Sequence, residues 1–302
     1  MQSGTKGLFF IWITVILWGI SFVATKVVVN YIPPITAGFI RFILAASVML
    51  IFIRKDIKYE KKEWFNLFMA SFFGVTGYFL FENTGLMYTT ATNGSLIISA
   101  IPIIFLIIDD IIKKTFSNKI RYIGTLIAFI GVAVLILNGK FVLKLNPKGD
   151  LLMFGAVISW ILYTIFLEKL QKHNNLIVTR DINMFGAIFF IPFVFIELKS
   201  SPTCPVFSLW FQPSVVFALL YLGIFCSALG YIFWNEAIRL SGSKTVMNSV
   251  YFIPVVTVIS ESLIYKTFPN IYTIIGAILV IGGTFISEKF AVKDSRVSKI
   301  ND

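Results

Sequence analysis

Long uncharged apolar runs decide what this chain can fold into. Crossing roughly 30 Å of bilayer hydrocarbon takes about 20 apolar residues in an α-helix. Runs of that length follow one another along almost all of the 302 residues, which are 57% hydrophobic and only 14% charged. This composition lies outside that of soluble domains. The sequence therefore predicts an all-α integral membrane protein with almost nothing left over for a soluble domain.

The runs predict ten transmembrane helices. The predicted spans are residues 8–29, 34–53, 65–88, 91–112, 120–137, 150–168, 176–196, 214–238, 245–265 and 270–288. Lys6 precedes the first run, as a basic residue does in a secretory signal peptide. That run is too long for a signal peptide, however, and no small-residue cleavage site follows it, so we interpret it as a transmembrane helix.

The chain also contains an internal repeat. KTFSN at residues 114–118 returns as KTFPN at residues 266–270, and aligning residues 101–131 with residues 253–283 gives eleven identities without a gap. The identical pairs are Ile101/Ile253, Pro102/Pro254, Ile107/Ile259, Ile112/Ile264, Lys114/Lys266, Thr115/Thr267, Phe116/Phe268, Asn118/Asn270, Ile123/Ile275, Gly124/Gly276 and Gly131/Gly283. Apolar segments share Ile by chance, but shared Pro, Lys, Thr, Asn and Gly at one offset indicate a duplication.

The repeat predicts a domain organisation. Each copy holds five predicted spans, and because five is odd the second copy enters the membrane from the opposite side. We predict a first repeat over residues 1–139 with helices 1 to 5, a second, inverted repeat over residues 140–290 with helices 6 to 10, and a cytoplasmic tail over residues 291–302. Inverted repeats allow two similar packings that open to opposite sides of the bilayer, as alternating access requires.

Lysine and arginine divide unequally between the predicted loops. One side of the bilayer holds nineteen, namely Lys6, Arg54, Lys55, Lys58, Lys61, Lys62, Lys113, Lys114, Lys119, Arg121, Lys169, Lys172, Arg180, Arg239, Lys244, Lys289, Lys293, Arg296 and Lys299. The other side holds five, namely Lys140, Lys144, Lys148, Lys199 and Lys266. By the positive-inside rule both termini are cytoplasmic, and we expect a multi-pass protein of the cell (plasma) membrane. The net charge of +11 then indicates contact with anionic membrane lipid and not with nucleic acid.

Polar side chains inside the spans are the candidates for a substrate site, because they are costly in hydrocarbon and tend to face a cavity or a partner. Tyr78 and Glu82 are four residues apart and share one helix face. Tyr231 and Asn235 repeat this spacing at matched positions of the second copy. We therefore expect all four side chains to face a cavity between the two copies.

Two prolines mark matching points in the fourth and ninth predicted spans. Pro102 and Pro254 lack a backbone N–H, which frees a carbonyl near the bilayer midplane. Ser99, Asn248 and Tyr251 lie just before these prolines and are predicted to face the same cavity.

The complete set of candidate residues mixes aromatic and polar side chains. The candidate substrate-binding residues are Trp18, Tyr78, Glu82, Asn83, Ser99, Trp160, Tyr163, Tyr231, Trp234, Asn235, Asn248 and Tyr251. A tryptophan near the middle of a span can stack on a substrate or cover a cation, but it can equally pack between helices. The asparagines can equally hold the bundle through interhelical hydrogen bonds. Glu82 is a candidate for proton coupling or, alternatively, the partner of Lys26.

The other charged residues in and near the spans are interpreted as structural. We expect Arg41 to snorkel to the interface or to pair with an acid. Asp109 and Glu261 lie near helix ends and are expected to be exposed at the interface. Glu236 and Arg239 are three residues apart and are expected to form a solvated pair.

Several segments together resemble the EamA family of the drug/metabolite transporter superfamily. The segments are Trp18-Gly19-Ile20-Ser21-Phe22, Arg41-Phe42, ENTGLMYTTATNGSLIISAIP from Glu82 to Pro102, GYIFWNEAI from Gly230 to Ile238, and the glycine-rich last helix. The resemblance covers roughly residues 8–288. It implies a secondary transporter, often an exporter of amino acids or other small metabolites, with a central cavity lined mainly by spans 1, 3, 4, 6, 8 and 9.

Three classes of function compete. The favoured one is a secondary transporter that exports a small metabolite such as an amino acid by alternating access around a central cavity. An intramembrane lipid-modifying enzyme would need a nucleophile with its base or a metal cluster, and the single His173 with two cysteines offers neither. A channel would show rings of repeated polar residues, and the sequence has no such pattern. We expect no enzyme activity, cofactor, metal or nucleic-acid partner; protons are a candidate coupling ion, and the oligomeric state is left open.

Overall fold

The computed structural model describes residues 2–88, 91–137, 139, 146–200, 207–266 and 270–298. Its α-helices are α1 (Gln2–Val29), α2 (Pro34–Phe52), α3 (Lys61–Ser71), α4 (Tyr78–Leu86), α5 (Ala91–Ile98), α6 (Ile101–Lys113), α7 (Lys119–Leu137), α8 (Pro147–Glu168), α9 (Asn175–Ser200), α10 (Pro213–Leu220), α11 (Gly230–Ser241), α12 (Ser243–Asn248), α13 (Phe252–Tyr265) and α14 (Ile271–Ser298). None of the residues in these described ranges belongs to a β-strand. The prediction of an all-helical chain is therefore confirmed.

Within the described residues, eight continuous helices are long and apolar enough to cross a membrane. They are Thr5–Val29, Pro34–Phe52, Lys61–Gly85, Lys119–Leu137, Pro147–Glu168, Asn175–Lys199, Pro213–Ser241 and Ile271–Lys289. They correspond to eight of the ten spans expected from the sequence. The remaining two, at residues 91–112 and 245–265, are each interrupted, so the count of ten spanning helices is not established by helix length.

The two interruptions occupy matching places in the repeat. α5 ends at Ile98 and α6 begins at Ile101, while a 3₁₀ turn at Ser249–Tyr251 separates α12 from α13. An α-helical hydrogen bond from Pro102 or Pro254 would run to the residue four positions earlier, and proline has no N–H to make it. Proline is tolerated in the first turn of a helix, where the N–H needs no partner. Each proline therefore lies just inside the start of a new helix.

The repeated KTF sequence is also a repeated backbone conformation. Lys114 has φ of 51° and Lys266 has φ of 52°, and these are the non-glycine residues with positive φ in the described part of the chain. The N–H of Thr115 donates to the carbonyl of Asp110 over 3.0 Å, which closes the end of α6. A left-handed residue that follows the last helical turn is a common way to end a helix. The duplication is therefore present in the backbone dihedral angles as well as in the sequence.

Two π-helical segments form a second matched pair. Residues Phe72–Gly77 join α3 to α4, and residues Tyr221–Leu229 join α10 to α11. π-helical turns leave the regular α-helical hydrogen-bond pattern and occur often at functional sites. They directly precede Tyr78 and Gly230, the first residues of α4 and α11, which together carry half of the candidate side chains.

Helices from the two halves of the sequence pack against each other throughout the molecule. α7 packs along α14, α2 packs against α9, and α1 packs against α11 and α13, while α8 packs against α4 and α5. The α7–α14 contact is the tightest, because glycines bring the two backbones together. A Cβ atom on Gly283 would lie 2.4 Å from the backbone nitrogen of Ala128, and one on Gly124 would lie 2.5 Å from that of Ser287. The interface between the halves therefore runs through the middle of the molecule.

Candidate functional site

Four aromatic rings from α1, α8 and α11 meet at the interface between the halves. The Trp18 ring centroid lies 5.4 Å from that of Trp160 and 4.9 Å from that of Trp234. The Trp160 centroid lies 6.0 Å from that of Tyr231. These separations are typical of tilted and edge-to-face aromatic contacts. We call Trp18, Tyr78, Trp160, Tyr163, Tyr231 and Trp234 the aromatic cluster.

Tyr78 and Tyr163 complete the aromatic cluster around Trp160. Their ring centroids lie 5.1 Å and 5.0 Å from that of Trp160. Trp160, Tyr163, Tyr231 and Trp234 are buried, whereas Tyr78 is partly exposed. The sequence therefore predicted six aromatic residues that the fold brings together from four different helices.

The π-helical segments supply hydrogen-bond acceptors to the aromatic cluster. The Trp18 indole Nε1 donates to the carbonyl of Cys226 over 3.0 Å. The Tyr231 hydroxyl donates to the carbonyl of Gly74 over 2.7 Å. In both cases the acceptor lies in a π-helical segment of the opposite half of the sequence. The carbonyls of these irregular turns thus accept hydrogen bonds from buried polar side chains, whose burial without a partner would cost free energy.

Two glycines in these helices let rings lie directly on the backbone. A Cβ on Gly74 would lie 2.3 Å from the Tyr163 ring, and a Cβ on Gly230 would lie 2.8 Å from the Trp18 Nε1. Any larger residue at either position would displace a ring of the aromatic cluster. The glycines are therefore packing residues of the site.

Asn235 is held in a buried chain of hydrogen bonds. Its Oδ1 accepts from the Tyr163 hydroxyl over 2.6 Å, and its Nδ2 donates to Thr179 Oγ1 over 2.9 Å. The side chain of Asn235 is fully buried. The sequence leaves open whether Asn235 contacts substrate or forms an interhelical hydrogen bond. In the structure it forms the interhelical hydrogen bond.

Glu82 bonds to Tyr78, as their spacing predicts. The Tyr78 hydroxyl donates to Glu82 Oε1 over 3.1 Å, and the Glu82 side chain is partly exposed. The alternative partner, the side chain of Lys26, lies outside the described residues. Glu82 is therefore attached to the edge of the aromatic cluster through Tyr78.

The four remaining candidates lie elsewhere in the fold. Asn83 donates to the carbonyl of Pro34 over 3.0 Å, and Asn248 donates to Glu288 Oε1 over 3.0 Å. Tyr251 is fully buried against α7 and α14, and Ser99 is buried in the turn between α5 and α6. The structure shows no ring or hydrogen-bond contact between Asn83, Asn248 or Tyr251 and the aromatic cluster among the described residues.

Arg41 differs from its sequence interpretation. It is 8% exposed and lies well inside α2, so it does not snorkel. Its Nε donates to Ser227 Oγ, and its guanidinium carbon lies 4.8 Å from the centroid of the Phe79 ring. No acid of the described residues forms an ion pair with it. The expectation of an acidic partner is wrong within that part of the chain.

Asp109 also differs from expectation, because it is 2% exposed and belongs to a polar network. Lys113 Nζ lies 2.7 Å from Asp109 Oδ1 and 2.9 Å from Glu168 Oε2. Lys244 Nζ lies 3.2 Å from Asp109 Oδ2 and also contacts Asp110 Oδ1. The network joins α6 to α8 and α12, and so joins the two halves. The side chain of Glu261, expected to be exposed like Asp109, lies outside the described residues.

The same end of the molecule carries further polar contacts between the halves. We call this region the basic end and define it as residues 53–63, 109–121, 168–181, 239–245 and 288. Within it, Arg180 pairs with Asp56 over 2.7 Å, and Arg121 lies 3.8 Å from Glu288. Every ion pair that joins the two halves within the described residues lies at the basic end.

Two loop residues at the basic end have shifted pKa values. Burial and a 2.8 Å hydrogen bond to Asp181 raise the pKa of the Tyr59 phenol well above its usual value. The contact with Glu63 raises the pKa of Lys172. Both groups therefore keep their protons at neutral pH.

The expected Glu236 and Arg239 pair is present, with Arg239 Nε 2.9 Å from Glu236 Oε2.

The long apolar helices indicate a multi-pass α-helical membrane protein. Among the described residues no group of His, Cys, Asp and Glu side chains has an arrangement that could hold a metal ion. The chain belongs to the EamA-like transporter family, which matches residues 5–137 and 147–288. It is therefore a membrane transporter, and its class implies a small-molecule substrate and a lipid environment.

Several curated proteins are similar over most of their length. An uncharacterized transporter of Archaeoglobus fulgidus is 30% identical over 91% of this chain and 94% of its own. A probable amino-acid metabolite efflux pump of Escherichia coli is 25% identical over 91% of this chain and 92% of its own. A crystal structure with 16% identity superposes with a TM-score of 0.80 over 97% of this chain and 98% of its own, which shows a common fold.

Trp160 is the residue of the aromatic cluster whose loss is expected to matter most for transport. Replacing it with Ala should reduce the transport rate by at least about tenfold, since the ring contacts the five other members of the cluster and a buried Trp→Ala change costs about 3–5 kcal/mol. Transport by reconstituted protein measures this. Trp12→Ala is the matched control, because Trp12 is 45% exposed and contacts Phe252 alone among the described rings. Equal losses in the two variants would contradict a role for the cluster.

Proposed function

We propose that this protein is a secondary transporter that exports a small metabolite, such as an amino acid, by alternating access. The aromatic cluster carries this proposal, because it joins side chains of both sequence halves around one interior point. Movement of one half against the other would expose that point to one side of the membrane and then to the other. The name of the Escherichia coli relative, a probable amino-acid metabolite efflux pump, supports an exported amino acid.

The proposed architecture consists of ten spans in two inverted repeats, over residues 1–139 and 140–290. The matched breaks before Pro102 and Pro254 support it, as do the matched φ angles of Lys114 and Lys266. The two π-helical segments add a third correspondence at the same relative position. In this architecture the broken spans are the fourth of each repeat, and each break lies where irregular backbone is tolerated only beside protein or water.

The basic end is proposed to face the cytoplasm, together with both chain termini and the tail at residues 291–302. Its excess of Lys and Arg supports this orientation in the plasma membrane. The ion pairs between the halves at this end support a conformation that is closed toward the cytoplasm. Transport would then require these contacts to break in the alternate conformation.

Counterflow in proteoliposomes tests the proposed function. Purified protein is reconstituted, loaded with one unlabelled solute and supplied outside with the same labelled solute, over a panel of amino acids, amines, nucleosides and sugars. We expect transient, saturable accumulation of at least one small polar metabolite. Flux that does not saturate would favour a channel, and turnover of a labelled lipid without solute movement would favour an enzyme.

The same vesicles test whether protons are the coupling ion. Glu82 is the proposed proton carrier, because it bonds to Tyr78 of the aromatic cluster and remains partly exposed. An imposed pH gradient should then drive accumulation of the transported solute without any other gradient. If the pH gradient does not change the accumulation of solute, Glu82 is not a proton carrier, and its role is substrate binding or packing.

A further inference from the structure

Arg41 lies deep in an apolar helix. It is the eighth residue of α2, which spans Pro34–Phe52 and carries no other charged residue. Only 8% of its surface is exposed. A central charge in a membrane-spanning helix costs about 2.5–3.5 kcal/mol on insertion scales and is tolerated where it faces a partner or a cavity. Arg41 is therefore expected to face a partner or a cavity.

The direct contacts of Arg41 within the described residues are with uncharged groups. The Nε atom donates to the hydroxyl of Ser227, and the guanidinium lies 4.8 Å from the centroid of Phe79 and 5.6 Å from that of Phe42. The terminal atoms Nη1 and Nη2 donate to no group of the described residues, yet neither is fully enclosed by protein atoms. The guanidinium of Arg41 thus has two donor atoms, Nη1 and Nη2, that no described group uses.

The other two buried arginines of the described chain provide a direct comparison. Arg121 and Arg180 are 7% and 5% exposed, and each has a carboxylate partner. Arg121 lies 3.8 Å from Glu288, and Arg180 lies 2.7 Å from Asp56. Both belong to the basic end. The buried arginine that lies away from the basic end is the one without an anionic partner among the described residues.

Arg41 borders the aromatic cluster. The ring of its neighbour Phe42 lies 5.7 Å from that of Tyr231, and the ring of Phe79 lies 5.0 Å from that of Tyr78. The Glu82 carboxylate accepts a hydrogen bond from Tyr78 and forms no ion pair with the guanidinium among the described residues. The aromatic cluster is therefore flanked by a cation with free donors and by a carboxylate bonded to Tyr78.

We propose that Arg41 binds a carboxylate of the transported substrate. The proposal rests on the proposed function and specifies its substrate class as small monocarboxylates, a class that includes most amino acids. A guanidinium offers two parallel N–H donors that match the two oxygens of a carboxylate. One guanidinium balances one negative charge, whereas a phosphate ester would bring nearly two. The substrate carboxylate would supply the ion-pair contact that Arg41 lacks among the described residues.

Matched pairs of probes that differ only in the carboxylate test this assignment. Counterflow is measured for the amino acids and, for those that have one, the corresponding decarboxylated amine. The wild-type protein should prefer the amino acid by at least about tenfold, because removing the substrate group leaves a buried donor pair unmatched. Arg41→Gln should remove this preference, and Arg41→Lys should retain part of it, since the charge stays while the fork is lost. Arg239→Gln, at an exposed pair, should leave the preference unchanged.

The outcomes separate this assignment from the proposed function. Equal transport of acid and amine by the wild-type protein would overturn the role of Arg41 while leaving the transporter in place. Saturable transport of amines or sugars, with no carboxylate transported, would do the same. A phosphate ester that competes as well as the amino acid would overturn the choice of carboxylate. If no solute shows saturable counterflow, the proposed function fails as well.

Discussion

Lys244→Gln is expected to open the basic end. Lys244 contacts Asp109 and Asp110, whose side chains are 3% and 2% exposed, so its loss leaves buried carboxylates short of a cation. Removing one partner of a buried ion pair costs about 3–5 kcal/mol. A shift of about 5.5 kcal/mol carries a two-state equilibrium from 1:99 to 99:1, so the variant should populate the alternate conformation substantially. The expected result is greater access to the interior from the basic end.

Thiol labelling measures this opening. In a background without the two native cysteines, Val246→Cys places a thiol in α12 at a position that is fully buried in the present conformation. Adding Lys244→Gln should increase its reaction with a water-soluble maleimide about tenfold or more. Arg239→Gln is the matched control, because Arg239 is 44% exposed and pairs within its own helix. If both variants label at the wild-type rate, the network does not hold the conformation.

Gly283→Ala is expected to destabilise the protein strongly, whereas Gly282→Ala is not. A Cβ on Gly283 would lie 2.4 Å from a backbone nitrogen and 2.6 Å from a backbone oxygen of α7, and backbone atoms cannot rotate away. Overpacking of this kind costs about 1–3 kcal/mol and occasionally more. A Cβ on Gly282 meets nothing within 4 Å. The helix-propensity gain of about 1 kcal/mol is the same for both changes, so the difference isolates the contact.

The thermal stability of the two glycine variants in detergent measures this difference. The apparent Tm of Gly283→Ala should fall below that of the wild-type protein, and its yield as a monodisperse species should drop. Gly282→Ala should match the wild type or exceed it slightly. Equal Tm values for the two variants would show that α7 and α14 can separate at no cost.

The sequence predicted the helical elements better than their irregularities. Span length and hydropathy depend only on local composition, which is why eight of the ten predicted spans correspond to continuous helices. The sequence identifies Pro102 and Pro254 as sites of lost hydrogen bonds, but it does not predict the resulting breaks in the helices. The π-helical segments at Phe72–Gly77 and Tyr221–Leu229 have no comparable residue signature, since each combines apolar residues with glycine and small polar residues.

The sequence predicts a contact between candidate side chains where a helix face alone decides their direction. The Tyr78–Glu82 pair follows from four-residue spacing on a regular helix. Tyr251 lies in the 3₁₀ turn after α12, where the helical face changes, and it packs against α7 and α14 instead. The sequence does not predict the partners of Arg41 and Asp109, for another reason. Whether a charge has a partner depends on which helix lies beside it, and a single sequence does not specify that.

The acceptors that the π-helical segments offer are main-chain atoms, which has a consequence for mutational tolerance. Cys226 and Gly74 contribute their carbonyls, and every amino acid has one. A change of side chain at Cys226 would therefore leave the anchor of Trp18 in place, provided the new residue fits. Ser227 is the exception in the same segment, because its hydroxyl is the group that holds Arg41. Random mutagenesis should thus find neighbouring positions of very different sensitivity within one turn.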